Sequence, residues 1–245
     1  ELQRRGSEAD YFAFYETSPA APAEPLNGLR WIAAGGCRAV HRIDRATPAA
    51  WADLAAAWRD RPTWWFGVLG YDLKNAFEPT LPPRGEAWHG MPDVAMWEPE
   101  WVLECRSDGT VVEHGDAQAW LKQSAHLNES TTQQQAQWSV SWSAPDYLER
   151  AESLRLHLHR GDIYEVNLCV DSEAKGERDL GRLFAKLREQ TEAGMGGMIR
   201  WGDFSVASAS PERYVKVAPD GTIYSQPIKG TASRGRDFEA DAAAA

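Results

Sequence analysis

The stretch "FSVASASPERYVKVAPDGTIYSQPIKG", residues 204–230, decides which fold class the sequence predicts. It holds short runs of β-branched and aromatic residues, and Asp220-Gly221 separates the last two runs. Gly202-Asp203 stands directly before the stretch. Asp-Gly and Gly-Asp pairs between such runs are typical of the tight turns of β-hairpins. Residues 196–230 are therefore predicted to form consecutive antiparallel strands.

Helices are predicted on the N-terminal side of these strands. Apolar residues at positions 147, 148, 151, 154 and 158 share one face of a helix over 143–162, with Ser143 or Asp146 as its N-cap and Gly161 at its end. Further helices are predicted over 179–193 and 47–61. Helices mixed with hairpins, without strict alternation of strand and helix, predict an α+β fold with antiparallel sheet.

The first half of the chain is rich in tryptophan. Most of the 12 tryptophans precede residue 145, which predicts a core of large aromatic rings there. Residues 1–27 are interpreted as polar and rich in Pro and Ala. Strands are predicted over 29–36 and 63–73, and a hairpin over 94–116 with its turn at Asp108-Gly109. The polar segment 126–138 lacks periodicity, so the predicted boundary separates a Trp-rich, variable N-terminal subdomain, 1–138, from residues 139–245.

Composition and charge argue against two classes of partner for these 245 residues. The net charge of −10 argues against a broad nucleic-acid surface, because phosphate binding needs clustered Lys and Arg. The longest apolar run, at 64–71, is far too short to span a bilayer, so no membrane partner is expected. Three widely spaced cysteines, an odd number, are typical of a reducing compartment, and a cytoplasmic location is predicted.

Lys229 stands between Pro227-Ile228 and Gly230-Thr231, directly after a run that predicts a strand. A lysine acts as a nucleophile only as the free amine, which burial or a nearby cation favours. Proline restricts the approach of the chain, and glycine allows a ligand close to the backbone. An exposed lysine at a turn explains the same residues without any chemistry, and from these residues alone it is the more frequent case.

Two further segments carry polar residues that could take part in chemistry. The Ser-Pro pair before Glu212 is a rigid corner, and its carboxylate could act as a general acid or base if it is half-buried. The alternative is a solvated glutamate beside Arg213. Residues 163–172 are predicted to form a strand with Glu165 and Asn167 on one face. That face could line a polar cleft, or it could equally be the wet side of a sheet.

Three segments together resemble the chorismate-utilising enzyme family. They are "GDIYEVNL" (161–168), "SASPERY" (208–214) and "PIKGTASRG" (227–235), in the order and at close to the spacing of that family. The resemblance covers residues 146–241, and "FGVLGYDL" (66–73) extends it loosely toward the N-terminus. It implies the anthranilate synthase component I-like fold, in which antiparallel sheets pack face to face with helices outside. Residues 139–245 are then expected to be the first part of the chorismate-binding catalytic domain, with its C-terminal half missing from this chain.

The resemblance also implies residue roles. The lysine form of the third segment is similar to the 4-aminating members, in which Lys229 would be the nucleophile and Glu212 would move a proton, whereas anthranilate synthases usually carry alanine at that position. The residues expected to contact the substrate are Ile228, Gly230, Thr231, Asn167 and Glu165. Glu165 departs from the family, because amine-using members more often carry glutamine there and water-using members a lysine base.

The implied reaction adds ammonia, supplied by a glutamine amidotransferase partner, to chorismate through a lysine adduct. Its product is 4-amino-4-deoxychorismate, a precursor of p-aminobenzoate and folate. Mg²⁺ is the implied cofactor, with its ligands expected in the missing half, so the metal residues are unknown. Two alternatives stay open: another chorismate-utilising synthase, such as an anthranilate synthase, and a fragment that binds an amidotransferase or an amino acid without turnover. The fragment alone is expected to be inactive.

Overall fold

A computed structural model describes residues 2–7, 9–17, 28–78, 80–81, 90–123, 137–176, 179–191 and 193–227. The strands are β1 (Tyr11–Glu16), β2 (Leu29–Gly35), β3 (Ala39–Ile43), β4 (Phe66–Leu69), β5 (Val94–Glu98), β6 (Trp101–Arg106), β7 (Val111–His114), β8 (Gln137–Val140), β9 (Ser172–Lys175), β10 (Met195–Trp201), β11 (Phe204–Ser210), β12 (Arg213–Val217) and β13 (Ile223–Gln226). The helices are α1 (Leu2–Gly6), α2 (Pro48–Asp60), α3 (Ala117–Gln123), α4 (Ala144–Arg160) and α5 (Leu180–Gln190), with a 3₁₀ helix at Tyr71–Ala76. Among the described residues, none of the helices has the length and apolar character needed to cross a membrane.

Six strands form the larger antiparallel sheet, in the order β11-β10-β1-β2-β6-β7. Strand β1 lies inside this sheet, where Phe14 is opposite Met198 of β10 and Ala33 of β2. The interpretation of residues 1–27 as polar is therefore wrong for residues 11–16. The sequence "YFAFYE" carries four aromatic residues, and aromatic residues favour strands.

The inner strands of the six-stranded sheet are buried on both faces, because their neighbouring residues enter different hydrophobic clusters. Phe14 packs in one cluster with Ala117 of α3 and Phe184 of α5, while Ala13 packs in another with Trp97 of β5. Trp97 belongs to a three-stranded sheet of order β3-β5-β4. Burying a large apolar side chain contributes about 1.5–3 kcal/mol, so these two clusters hold the layers together. The fold is α+β with antiparallel sheets, as predicted.

The predicted helices form where the sequence indicates them. The N-terminus of α2 is capped by Thr47, whose side chain accepts a hydrogen bond from the N–H of Ala50. A capping box of Ser143 and Asp146 starts α4, and Gly161 ends it in the left-handed conformation with φ of 78°. These local hydrogen bonds satisfy backbone groups that the helix ends leave unpaired, which explains why the sequence predicted these ends well.

The predicted strand over 163–172 is wrong. Only Ser172 belongs to a strand, and residues 163–171 have no regular secondary structure. A strand needs a neighbour to satisfy its backbone N–H and C=O groups. Strand β9 finds that neighbour in β8, whereas the described part of the chain places no strand beside residues 163–171.

Two strand predictions in the first half are partly correct. The turn at Asp108-Gly109 joins β6 and β7 as a hairpin, and Gly109 has a φ of 85°. Residues 94–98, predicted within that hairpin, instead form β5 between β3 and β4 in the other sheet. Over 63–73, the strand is limited to Phe66–Leu69, and the 3₁₀ helix begins at Tyr71.

The described contacts divide the chain into two compact units. One comprises residues 1–128 together with 180–245, and the other comprises residues 129–179. The smaller unit contains the β8–β9 pair and helix α4. The division of the chain at residue 138 into a variable subdomain and the first part of a catalytic domain concerns family domains and stays a prediction.

Candidate functional site

The corner between β11 and β12 holds Glu212 by its backbone. The Ser210 hydroxyl donates a hydrogen bond of 2.9 Å to the Glu212 carbonyl oxygen and accepts one of 3.2 Å from the Glu212 N–H. Pro211, between them, has a restricted φ and no N–H. The Glu212 side chain is half-buried. The corner thus fixes the backbone that carries this carboxyl group, which is of a type that can donate or accept a proton.

The hairpin of β12 and β13 continues directly from this corner. Its turn is the predicted one, because Asp220 Oδ1 accepts a hydrogen bond of 2.9 Å from the Thr222 N–H and Gly221 has a φ of 84°. Asp and Asn side chains form such bonds to a backbone N–H two residues on, and glycine allows the positive φ. The hydrogen bonds from Thr222 hold the pKa of Asp220 below its usual value, so the turn keeps its acceptor charged at neutral pH.

Arg213 and Gln226 face each other where this hairpin opens. They are register partners, and Arg213 Nε donates a hydrogen bond of 2.8 Å to Gln226 Oε1. Glu212 precedes Arg213 and Pro227 follows Gln226, so both flank the same end of the antiparallel pair. The described residues therefore bring the Ser210–Glu212 corner beside the point where the chain continues toward Lys229.

The other predicted site residues fall into two groups. Ile228, Lys229, Gly230 and Thr231 lie outside the described residues. The remaining two, Glu165 and Asn167, belong to the unit of residues 129–179, where they are exposed in the irregular segment that replaces the predicted strand. Their assignment to substrate contact stays a prediction.

The irregular segment is anchored to the end of α4. His157 Nδ1 and Asp162 Oδ2 are 2.7 Å apart, and the Asp162 N–H donates a hydrogen bond of 3.0 Å to the His157 carbonyl oxygen. Further on, the Asp171 carbonyl oxygen accepts a hydrogen bond of 2.9 Å from the Ser141 N–H. The segment with Glu165 and Asn167 is thus held at both ends, although it pairs with no strand in the part that the structure describes.

A cavity of about 220 Å³ lies between the ends of β1, β2, β10 and β11. Its lining includes Tyr15, Met195 and Ile199, together with Ser208 and Ser210 of β11. Burial raises the pKa of Tyr15 well above its usual value, so its hydroxyl stays neutral at physiological pH. Ser210 belongs both to this lining and to the Glu212 corner. The cavity therefore borders the corner, and its lining also includes the charged residues Glu16 and Arg30.

The implied Mg²⁺ finds no ligand set in the described residues. Within those ranges, no group of three or more His, Cys, Asp or Glu side chains is placed to hold a metal ion. Magnesium sites in proteins use carboxylate oxygens together with water or substrate oxygens. Mg²⁺ therefore stays a prediction that rests on the family resemblance.

Sequence reasoning missed the supporting residues of this site. A serine directly before Pro-Glu is a signal for a hydroxyl-stabilised turn, so the role of Ser210 could have been found. The hydrogen bond between Arg213 and Gln226 could not have been predicted, because an irregularity in the strand pairing separates these residues from the rest of the hairpin.

Comparisons with known proteins agree with the three sequence segments. The profile of the family described as "chorismate binding enzyme" matches residues 16–245. "Aminodeoxychorismate synthase component 1" of Klebsiella aerogenes is 33% identical over 182 residues, which cover 72% of this chain and 40% of that protein. The protein of the same name from Salmonella typhimurium is 31% identical over 181 residues, covering 71% and 39%.

A shorter match links the chain to another chorismate enzyme. "Anthranilate synthase component 1" of Haloferax volcanii is 33% identical over 93 residues, or 38% of this chain and 18% of that protein. The chain thus spans about 40% of the length of the two aminodeoxychorismate synthase components. The family match itself covers nearly all of the residues. We conclude that this chain belongs to the chorismate binding enzyme family.

Proposed function

We propose that the chain is part of an aminodeoxychorismate synthase component I, which converts chorismate and ammonia to 4-amino-4-deoxychorismate. The relatives of that name match over about 70% of this chain, whereas the anthranilate synthase match covers 38%. The lysine in Pro-Ile-Lys-Gly-Thr, residues 227–231, is also the form that resembles the 4-aminating members.

The observation that carries this proposal is the register of β12 and β13. The pairing of Arg213 with Gln226 puts Glu212 and Pro227 at the same end of the hairpin. Lys229 follows Pro227 by two residues in the sequence. A lysine nucleophile and a carboxyl group must both reach one substrate, so their segments must meet. The position of Glu212 and Pro227 at one end of the hairpin supports this proposal.

In the first proposed step, the free amine of Lys229 attacks C2 of the chorismate ring. The ring double bonds shift, and the C4 hydroxyl leaves as water after taking a proton from Glu212. Proton transfer from a positioned carboxyl group typically accelerates such a departure by about 10²–10⁴-fold. The half-buried position of Glu212 on a rigid corner suits this role.

In the second step, ammonia attacks C4 and the ring double bonds shift back, which expels the Lys229 amine from C2. The new C4 ammonium then gives a proton to Glu212, which restores the acid. Two displacements of moderate difficulty replace a single hard one. We propose that a glutamine amidotransferase supplies the ammonia and that the product serves p-aminobenzoate and folate synthesis. Mg²⁺, when bound, would offset the negative charge of the substrate carboxylates.

Product analysis with the full-length enzyme tests the proposal. Chorismate, ammonia and Mg²⁺ are expected to give 4-amino-4-deoxychorismate, identified by chromatography and mass spectrometry. A product aminated at C2, or isochorismate, would overturn the assignment.

The Lys229→Ala variant tests the lysine adduct. It should lose turnover by about 100-fold or more, because removal of a covalent nucleophile removes the chemical step itself. Lys216→Ala is the matched control, because Lys216 and Arg213 lie on the same strand, β12. This control variant should retain turnover. Near-normal rates for Lys229→Ala would mean that this lysine is not the nucleophile.

A further inference from the structure

We propose that Arg213 and Gln226 are a positioning pair that sets the strand register beside Glu212, the proposed acid. This inference rests on the function proposed above. Neither residue is proposed to touch the substrate. Their role is to hold the two strands in the alignment that keeps the proposed acid in its place.

The strand pairing shows why a separate interaction must set the register at this end of the hairpin. Near the turn, Val217 is opposite Ile223 and Lys216 is opposite Tyr224. The register then shifts before Arg213 meets Gln226. From Lys216 to Arg213, β12 advances by three residues while β13 advances by two, so β12 contains one extra residue. Such a bulge interrupts the ladder, and pairing near the turn does not by itself specify the alignment beyond it.

The side-chain hydrogen bond supplies the missing alignment. Arg213 Nε donates to Gln226 Oε1 over 2.8 Å, directly across the pair. A slip by one residue would move β13 by about 3.3 Å and turn its side chains to the opposite face. The two side chains meet in the observed register, so the bond favours that register over its neighbours.

Glu212 is consequently held from both directions along the chain. Before it, the Ser210 hydroxyl bonds to the Glu212 carbonyl oxygen and N–H. After it, Arg213 is fixed by its bond to Gln226. Misplacing a reacting group by about 1 Å can cost about 10²-fold in rate. A loosened register therefore affects catalysis before it affects binding, because the substrate can still enter a site whose reacting groups are misaligned.

The test uses two substitutions of Gln226 in the full-length enzyme. Gln226→Met keeps the length of the side chain and removes the acceptor, whereas Gln226→Glu keeps an acceptor for Arg213. With chorismate and ammonia, the Met variant should lower kcat by about tenfold and leave KM for chorismate within about twofold. The Glu variant should restore kcat to within about threefold of the wild-type value, since a carboxylate accepts the same bond.

Tyr224→Ala provides the matched structural control. Tyr224 pairs with Lys216 on the other side of the bulge, where the Lys216 Nζ lies 5.9 Å from the centre of its ring. This variant should weaken the hairpin and lower the melting temperature while kcat per folded enzyme stays near the wild-type value. A fall in kcat in the Met variant without a comparable fall in the control supports positioning.

Three results would overturn the proposal: an unchanged kcat in Gln226→Met, a loss confined to KM, or an equal loss of kcat in Tyr224→Ala. Lys229→Ala in the same assay separates this failure from failure of the proposed function. If Lys229→Ala is inactive while Gln226→Met is fully active, the positioning role is wrong and the function stands. If Lys229→Ala is active, the lysine mechanism is wrong and the positioning role is overturned with it.

Discussion

Arg188 Nε donates a hydrogen bond of 2.6 Å to Glu16 Oε1, and so joins α5 to the last residue of β1 across 172 positions of sequence. The side chains are only 12% and 22% exposed, so water screens this ion pair weakly. Gly196 leaves the space for it, because a Cβ at that position would lie 2.9 Å from Arg188 Cδ. The pair fastens the helix to the sheet next to the cavity that Glu16 lines.

Arg188→Met should lower the free energy of unfolding by about 1–3 kcal/mol. The substitution leaves the Glu16 carboxylate partly buried without its cation, which costs more than the pair itself contributes. Denaturant unfolding of the full-length enzyme measures the change. Arg155→Met is the control, since Arg155 pairs with Glu152 on an exposed face where both are more than half exposed, and it should cost less than about 1 kcal/mol. Equal effects of the two substitutions would contradict the importance of the Glu16–Arg188 pair.

Ser210→Ala should lower kcat by about tenfold in the full-length enzyme. It removes both hydrogen bonds that hold the Glu212 backbone in the corner, and misplaced reacting groups slow the chemical step. Steady-state kinetics with chorismate measure the effect. Ser208→Ala is the matched control, because Ser208 lines the same cavity on the same strand, and its kcat should stay within about twofold of the wild-type value. A similar loss in both variants would point to the cavity and away from the corner.

The N-terminus of α4 should loosen in acid. Hydrogen bonds from the Ser143 hydroxyl, and then from its N–H, hold the pKa of Asp146 below its usual value of 3.8. Because the folded pKa is depressed, the stabilisation is present above the unfolded value of 3.8 and is lost as pH falls through the folded value. Amide-exchange protection in the first turn of α4, corrected for intrinsic rates, should therefore fall as the pH drops below about 4.

Asp146→Asn is the control for this pH dependence, because its amide does not titrate. The variant should show little change in protection over the same pH range. An equal fall in the wild type and in the variant would mean that another group controls the acid sensitivity of α4.

Gly115→Ala should destabilise the fold more than Gly109→Ala, although both glycines have positive φ, at 80° and 85°. A Cβ at Gly115 would lie 2.2 Å from the Glu100 carbonyl oxygen, whereas nothing lies within 4 Å of one at Gly109. The Gly109 substitution should cost about 1–2 kcal/mol of backbone strain. At Gly115 the backbone must also move, so the loss should exceed that by about 2 kcal/mol or more. Chemical denaturation compares the two, and equal losses would show that the approach of Glu100 is easily relaxed.

Features that depend on near neighbours in the chain were predictable. Ser143 and Gly161 bound α4 as predicted, and the turns at Asp108-Gly109 and Asp220-Gly221 join strands as predicted. The absence of a strand over 163–171 was not predictable, because the apolar pattern of these residues carries no information about whether a partner strand lies beside them. Strand β1 was missed although its aromatic residues carry the signal, since the Pro- and Ala-rich residues that follow dominated the interpretation of that region.

The sequence by itself determined the helix ends, the hairpin turns and the family, because caps, turn residues and short motifs act over a few residues of the same chain. Only the tertiary structure decided that Arg213 meets Gln226 and that Glu16 meets Arg188. The first contact depends on a register that shifts at a bulge, and the second on packing between a helix and a strand far apart in sequence. Neither leaves a periodic pattern in the sequence, because each depends on how separate segments align in space.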